Sequence, residues 1–185
     1  MNFIKTIAKA TAASILTVAI LGFKVPDETP LEYGRFSNEV IFQFKSEVQE
    51  KFGFIGNATG GSMPHDIEDL TVGFLAYQKA TIEEAREIEI ALTEKFLEII
   101  NAHEKIRPFL REYPFPSNRV CIKVSFYDKE NFPQTKNSIS TAYLIKNNIY
   151  YDVYTPKDCS FKDIRKESYE EAYQKVHENL TESSF

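Results

Sequence analysis

The sequence predicts an α+β fold, with an antiparallel-leaning sheet of three to four strands, two to three helices packed on one face, and a hydrophobic leader in front. Three observations predict it. Some segments repeat apolar residues at helical spacing, others alternate apolar and polar residues like strands, and residues 1–26 contain no Asp or Glu. Because two strand-like segments are joined by a short turn, antiparallel pairing is favoured.

The leader is defined by its charges. Lys5, Lys9 and Lys24 are its only charged residues, and the run between positions 10 and 23 is uncharged and mostly apolar. That length is typical of the hydrophobic part of a secretory signal peptide, whereas a spanning helix needs about 20 residues. We therefore expect residues 1–24 to be a signal peptide or an uncleaved membrane anchor, and the protein to be periplasmic, secreted or membrane-anchored.

The rest of the chain suits one folded domain. Prolines break the apolar run, so we expect a linker at residues 25–36, a single α+β domain at 37–180 and a tail at 181–185. Hydrophobic residues make up 43% of the chain and aromatic residues 14%, which is enough for a core. A formal net charge of -5 with no basic stripe argues against a nucleic-acid partner.

Two helices are predicted in the first half of the domain. Apolar residues at steps of three and four indicate a helix over residues 37–52, which Gly53 ends. Thr81 and Glu84 match a capping box, in which each side chain bonds the backbone N–H of the other residue. The longest helix therefore begins at that point, and Pro108 ends it.

The remaining elements are predicted from composition and alternation. The glycine-rich residues 56–64 are predicted to be a loop, and residues 70–77 and 120–127 to be strands with one apolar face. A last helix is predicted over residues 161–177, capped by Ser160, with Phe161 and Ile164 among its buried residues.

A hairpin is predicted where Asn147 and Asn148 separate two β-rich runs. Asn tolerates the positive φ that both central positions of a type I′ turn require. The predicted register pairs Leu144 with Tyr151 and Tyr143 with Asp152. One hairpin face would then pack on helices through Ala142, Leu144, Tyr151 and Val153, and the other would carry Thr141, Tyr143, Tyr150, Asp152 and Tyr154.

The binding candidates are tyrosines and glycines. Tyr143, Tyr150 and Tyr154 share one predicted face, and tyrosine offers a large contact area with a polar tip, which suits protein recognition. The alternative is that another helix covers this face. Gly60 and Gly61 are a second candidate contact, although their surroundings lack the Lys-Ser/Thr pair of a phosphate-binding loop.

The two cysteines, Cys121 and Cys159, are expected to form one disulfide if the protein is exported. Reduced, either thiol could act as a nucleophile with a histidine base, but neither lies in a cysteine-hydrolase signature. His103, followed one turn later by Arg107, lies on the predicted buried stripe of the long helix, where a buried neutral imidazole is favoured over a cleft residue. No catalytic residue, metal ligand set or cofactor is predicted.

Three stretches carry a resemblance: residues 80–86, residues 100–115, and the Gly60-Gly61-Ser62-Met63-Pro64 segment upstream of both. With them the chain resembles a group of small uncharacterised exported proteins from chlamydia-like intracellular bacteria, over most of the folded part. The resemblance implies no activity, cofactor or catalytic residue. It implies only an envelope or host-facing location.

Together these observations predict an exported or membrane-tethered α+β protein that serves as a protein-binding or envelope-associated module. Its partner would be another protein, and an uncleaved residue 1–24 segment would also contact the membrane. The alternative is a small hydrolase with a cysteine- or histidine-centred site.

Overall fold

A computed structural model describes residues 29–135 and 138–182, and the predicted leader lies outside them. The fold is α+β, as predicted, with three helices and a six-stranded mixed sheet in place of three to four strands. The helices are α1 (Thr29–Phe52), α2 (Ile82–Ala102) and α3 (Tyr169–Glu182). The strands are β1 (Ile55–Ser62), β2 (Asp69–Ala76), β3 (Val120–Phe126), β4 (Thr141–Ile145), β5 (Asn148–Thr155) and β6 (Ser160–Ser168).

The strands lie side by side in the order of the chain, from β1 to β6. Strands β2 and β3 are parallel and are joined through α2, whereas every other neighbouring pair is antiparallel. The buried residues of the central strands, such as Val72, Val124 and Leu144, share one face of the sheet and pack against the helices. Phe44 of α1 joins the layers, because its ring stacks on Phe96 of α2 at 4.5 Å and meets Phe74 of β2 edge-on at 5.4 Å.

Helix α2 begins, and helix α1 ends, at the predicted signals, but α2 ends at Ala102, before Pro108, so His103 caps the helix and Arg107 lies beyond it. The capping box of Thr81 and Glu84 forms with both of its hydrogen bonds, at 2.8 and 3.2 Å. Gly53 follows α1 with a φ of +70°, a left-handed conformation that glycine adopts without strain. Helix α1 is longer than predicted, since residues 29–36, expected to be linker, are helical.

The prediction of a loop at residues 56–64 was wrong for most of that segment. Residues Ile55–Ser62 form the edge strand β1, which pairs with β2. The strand contains three glycines and buries few side chains, so backbone pairing holds it and no apolar alternation marks it in the sequence.

The last predicted helix was also wrong in its first half. Residues 161–168 belong to β6, and Phe161 and Ile164, expected to be buried, are each 49% exposed. Helix α3 begins only at Tyr169. Ser168 and Glu171 form the capping box that starts it, with hydrogen bonds of 3.1 and 3.2 Å, so Ser160 caps no helix.

The predicted type I′ hairpin is present, but its turn lies one residue earlier. Lys146 and Asn147 carry the two positive φ values, 47° and 59°. As a result Leu144 pairs with Ile149 instead of Tyr151, a register shift of two residues. Because side chains alternate with a period of two, this shift leaves every side chain on its predicted face.

Among residues 29–135 and 138–182 we find no helix with the length and apolarity needed to cross a bilayer.

Candidate functional site

One face of the sheet has no helix on it within the described part of the chain. We call this side the open face. Its residues alternate along the strands with those that face the helices and include Thr71, Cys121, Lys123, Ser125, Thr141, Tyr143, Tyr150, Asp152, Tyr154 and Lys166, of which Thr141 is itself buried.

A row of four side chains crosses the open face at right angles to the strands. Lys123 pairs with Tyr143, Tyr143 with Tyr150, and Tyr150 with Lys166, on four successive strands. The two tyrosine rings stack with centroids 5.1 Å apart and planes 9° apart. The Lys166 ammonium lies 5.1 Å from the Tyr150 centroid. We call this row the tyrosine ladder.

The ladder combines flat aromatic area with donors at fixed positions. Both rings are half-buried, so each keeps part of its surface free for a partner. Burial, with the negative charges of Asp152 and Asp163, raises the pKa of Tyr143, which keeps its hydroxyl protonated. A neutral hydroxyl can donate to a carbonyl and also accept from an N–H, so the ladder matches the mixed polar groups of a peptide.

Tyr154, the third predicted tyrosine, lies on the same face but apart from the other two. It is four positions along β5 from Tyr150, a distance of about 13 Å at the usual rise of a strand. Its ring instead contacts Phe161 of β6, with centroids 5.2 Å apart. The structure therefore brings Tyr143 and Tyr150 together and leaves Tyr154 in a separate aromatic pair.

Two carboxylates lie between these aromatic groups. Asp152 pairs directly with Asp163, so like charges face each other across β5 and β6. Burial and then the charge of Asp163 raise the pKa of Asp152, and Lys123 partly opposes them. One Asp152 oxygen is buried without a hydrogen-bond partner. Asp163 was not singled out from the sequence, because the residues around it were assigned to a helix.

Gly60 and Gly61 are far from the ladder, since β2 and β3 separate β1 from β4. A side chain at Gly61 would meet the Asp69 carbonyl oxygen at 2.6 Å, so the close approach of the two strands requires glycine there. A side chain at Gly60 would have room, with Thr71 at 3.7 Å. Neither glycine adds a contact to the tyrosine ladder.

The structure does not bring the two cysteines together. Leu144 pairs with both Ile122 and Ile149, which places Cys121 beside the beginning of β5, whereas Cys159 lies in the turn after the end of β5. The length of β5 alone is about 20 Å, and a disulfide needs Cα atoms within about 7 Å. Both thiols are free, so the expected disulfide within one chain does not fit this fold.

The surroundings of Cys121 disfavour a nucleophile. Burial, with the nearby Glu89 carboxyl, raises the pKa of the Cys121 thiol, which disfavours the thiolate. Cys159 is exposed in its turn, and its Sγ lies 3.6 Å from the Pro156 carbonyl oxygen.

His103 lies at the C-terminal end of α2, in the helix layer. Its Nδ1 accepts a hydrogen bond from the Ile106 N–H at 3.1 Å, and its Nε2 lies 3.4 Å from a Glu39 oxygen. The Ile106 N–H and the Glu39 carboxylate therefore hold the imidazole in place, which is typical of a structural histidine. The guanidinium of Arg107 lies 4.4 Å from the centroid of the Tyr113 ring and makes no contact with the open face.

The acidic residues after β1 are paired with arginine. Arg111 contacts both Asp66 and Glu68, and Arg119 lies 3.9 Å from Asp69. In the described ranges no group of three His, Cys, Asp or Glu side chains is arranged to hold a metal ion.

A groove between α1 and α2 has a volume of about 530 Å³ and is lined largely by charged side chains, including Glu47, Lys51, Lys95 and Glu98. Lys95 forms ion pairs with Glu47 at 2.9 Å and with Glu98 at 3.3 Å, so these three charged groups are already paired with one another.

Comparison of the chain with models of known protein families, with curated protein sequences and with solved structures gives no match.

Proposed function

We propose that this protein is an exported or membrane-tethered binding module that holds a segment of another protein against its open face. The observation that carries the proposal is the tyrosine ladder. Stacked tyrosines on a rigid sheet lose little side-chain entropy on binding, and tyrosine is enriched at the centres of protein interfaces. The lysines at both ends add positive charge where a partner's carboxylates can pair.

The geometry favours binding over the alternative of a hydrolase. The open face has hydroxyl, ammonium and aromatic groups, and its one thiol, Cys121, has a raised pKa. His103 lies on the helix side of the sheet, away from that thiol.

Photo-crosslinking in the native host compartment tests the proposal. A photoreactive phenylalanine replaces Tyr150 in one full-length chain and Phe42 in a control. Phe42 is 74% exposed on α1, outside the open face. We expect one discrete protein adduct from position 150 and none from position 42. Equal adducts from both positions, or none from position 150, would contradict the proposal.

Once the adduct is identified by mass spectrometry, binding is measured with purified partner. A central interface tyrosine contributes about 2 kcal/mol or more, so Tyr150→Ala is expected to weaken binding roughly 30-fold, and Tyr143→Ala similarly. Phe42→Ala should bind like the unsubstituted protein. Thermal unfolding of each variant separates lost binding from lost folding.

The location is tested separately. The intact mass of the protein recovered from an envelope or secreted fraction reports whether residues 1–24 have been removed. Recovery only in the cytosol, with Met1 retained, would contradict export.

A further inference from the structure

The two edges of the sheet differ in how they are protected against further pairing. Strand β6 has charged side chains at most of its positions and a register irregularity opposite Tyr151 and Asp152, and both features hinder the addition of another strand. Strand β1 has the sequence IGNATGGS, with no charged residue and no proline. The charged side chains that usually protect an edge are therefore present along one side of the sheet and missing along the other.

The outer part of β1 is also accessible from both sides. Residues 57–61 are all exposed, so neither the helix layer nor the loop after the strand covers them. The irregularity of β1 lies between Gly56 and Ala58, and from Ala58 to Ser62 the strand pairs regularly with β2. The free edge of these residues is therefore straight, and its small side chains let another backbone approach.

Charges of opposite sign lie at the two ends of this stretch. The alkyl chain of Lys45 lies over Gly56 at the beginning of β1, and no described carboxylate forms an ion pair with Lys45. At the other end Ser62 bonds Glu68 at 2.7 Å and pairs with Asp69. The acids at that end outnumber the bases: Asp66, Glu68, Asp69 and Glu112 against Arg111 and Arg119.

We propose that β1 is a strand-pairing edge that takes a second copy of this chain, antiparallel, so that one sheet runs through both copies. A two-fold axis near Thr59 and Gly60 brings the uncharged stretch against itself and places the Lys45 end of each copy beside the acidic end of the other. No like charges are brought face to face, and the open backbone groups of both edges gain partners. An extended segment of a different protein is the competing occupant.

This pairing is independent of binding at the open face. With the two-fold axis perpendicular to the sheet, both open faces point the same way, and the ladder is separated from β1 by β2 and β3. The dimer would present two ladders side by side.

The test uses the full chain in sedimentation velocity over a wide concentration range, with hydrogen exchange of residues 57–61 measured in parallel. We expect a concentration-dependent dimer in which these amides become protected as the dimer forms. Thr59→Lys places two ammonium groups close together beside the axis, and lysine on an edge opposes pairing. It should weaken the dimer at least about tenfold and restore fast exchange.

Two controls keep the result specific. Thr59→Gln introduces a side chain of similar length to lysine but without charge. Ile164→Lys places the same charge on the exposed β6 edge. Both variants should dimerise like the unsubstituted chain. A chain that stays monomeric throughout, or a dimer unaffected by Thr59→Lys, would overturn the proposal. Protected β1 amides in a monomer would also overturn it, because another molecule would then occupy the edge.

Discussion

The hydroxyl of Tyr151 donates a 2.6 Å hydrogen bond to Oε1 of Glu167, and both side chains are buried between the sheet and the helices. The same carboxylate accepts from Arg86 at 2.6 Å and from Lys175 at 2.8 Å. Glu167 thus ties together β5, β6, α2 and α3. Burial opposes its ionisation, but the hydrogen bonds from Arg86, Lys175 and Tyr151 outweigh burial and lower the pKa of Glu167 to about 2.

Glu167 is expected to make the fold sensitive to acid. Its pKa is lower in the folded chain than the ordinary value of 4.5, so its contribution is complete above pH 4.5 and is lost as the pH falls towards 2. The contribution is on the order of 3 kcal/mol. Glu167→Gln leaves Arg86 buried without its counter-charge and should lower the free energy of unfolding at pH 7 by about 3 to 5 kcal/mol.

The measurement is urea unfolding from pH 7 down to pH 3. The unsubstituted protein should lose stability below pH 4.5 more steeply than Glu167→Gln. Parallel pH profiles for the two proteins would contradict the role given to this carboxylate.

Glu89 is expected to have the opposite pH dependence. It is fully buried, and neither oxygen has a hydrogen-bond partner of normal geometry. Burial raises its pKa well above the usual value, and the backbone at Val124 and Leu144 offsets this only in part. A folded-state pKa above the unfolded value means that stability is greatest below about pH 4.5 and falls as the pH rises towards the folded-state pKa.

Glu89→Leu should raise the free energy of unfolding at pH 7 by about 1 to 3 kcal/mol, because an unsatisfied buried polar group is removed. The substitution should also remove the decline in stability that begins as the pH rises above about 4.5. Glu87→Leu, an exposed position on the same helix, is the control and should change neither. Glu89→Leu less stable than the parent at pH 7 would show that the carboxyl has partners the described residues do not supply.

The boundary between β6 and α3 can be tested at two serines. Ser168→Ala removes the capping box of α3 and should lower the free energy of unfolding by about 1 kcal/mol. Ser160→Ala, at the position that the sequence indicated as the cap, should stay within about 0.5 kcal/mol of the parent. If Ser160→Ala lowered the free energy of unfolding more than Ser168→Ala does, a helix beginning at residue 160 would be favoured.

The stacked tyrosines should stabilise each other. In a double-mutant cycle of Tyr143→Leu and Tyr150→Leu, the coupling energy is expected to be about 0.5 to 1.5 kcal/mol, as for other stacked aromatic pairs. The same cycle with Tyr143 and Tyr154 should give a coupling near zero, because Tyr154 contacts Phe161 instead. Equal couplings would mean that the rings are not arranged as described.

The elements predicted from the sequence are those with a strong local signal. Thr81 with Glu84, and Gly53, mark helix ends through chemistry that acts within a few residues, so α1 and α2 were found. The faces of the β4–β5 hairpin were also predicted, since alternation alone decides them. The turn lies at Lys146 and Asn147, and lysine seldom adopts a positive φ, which is why the Asn147-Asn148 pair placed the turn one residue too late.

The missed elements depend on distant contacts. Strand β6 carries charges on both faces, so alternation is hidden, and only its pairing with β5 and the salt bridge from Glu167 to Arg86 fix it. Strand β1 is held by β2. Ser168 and Glu171 match a capping box in the sequence. They lie inside the helix predicted over residues 161–177, so they were not recognised as its start. The stacking of Tyr143 on Tyr150 required the true register.

The parallel pairing of β2 and β3 has a consequence for how this protein acquires its structure. The β1–β2 hairpin and the meander from β3 to β6 are each built from neighbours in the chain, and such local contacts form early. The strands of the parallel seam, in contrast, meet only after the chain through α2 has looped back, a closure with a larger entropic penalty. We expect the β1–β2 hairpin and the β3–β6 meander to form first. Their joining along β2 and β3, with α2 connecting them, should be the slowest step of folding.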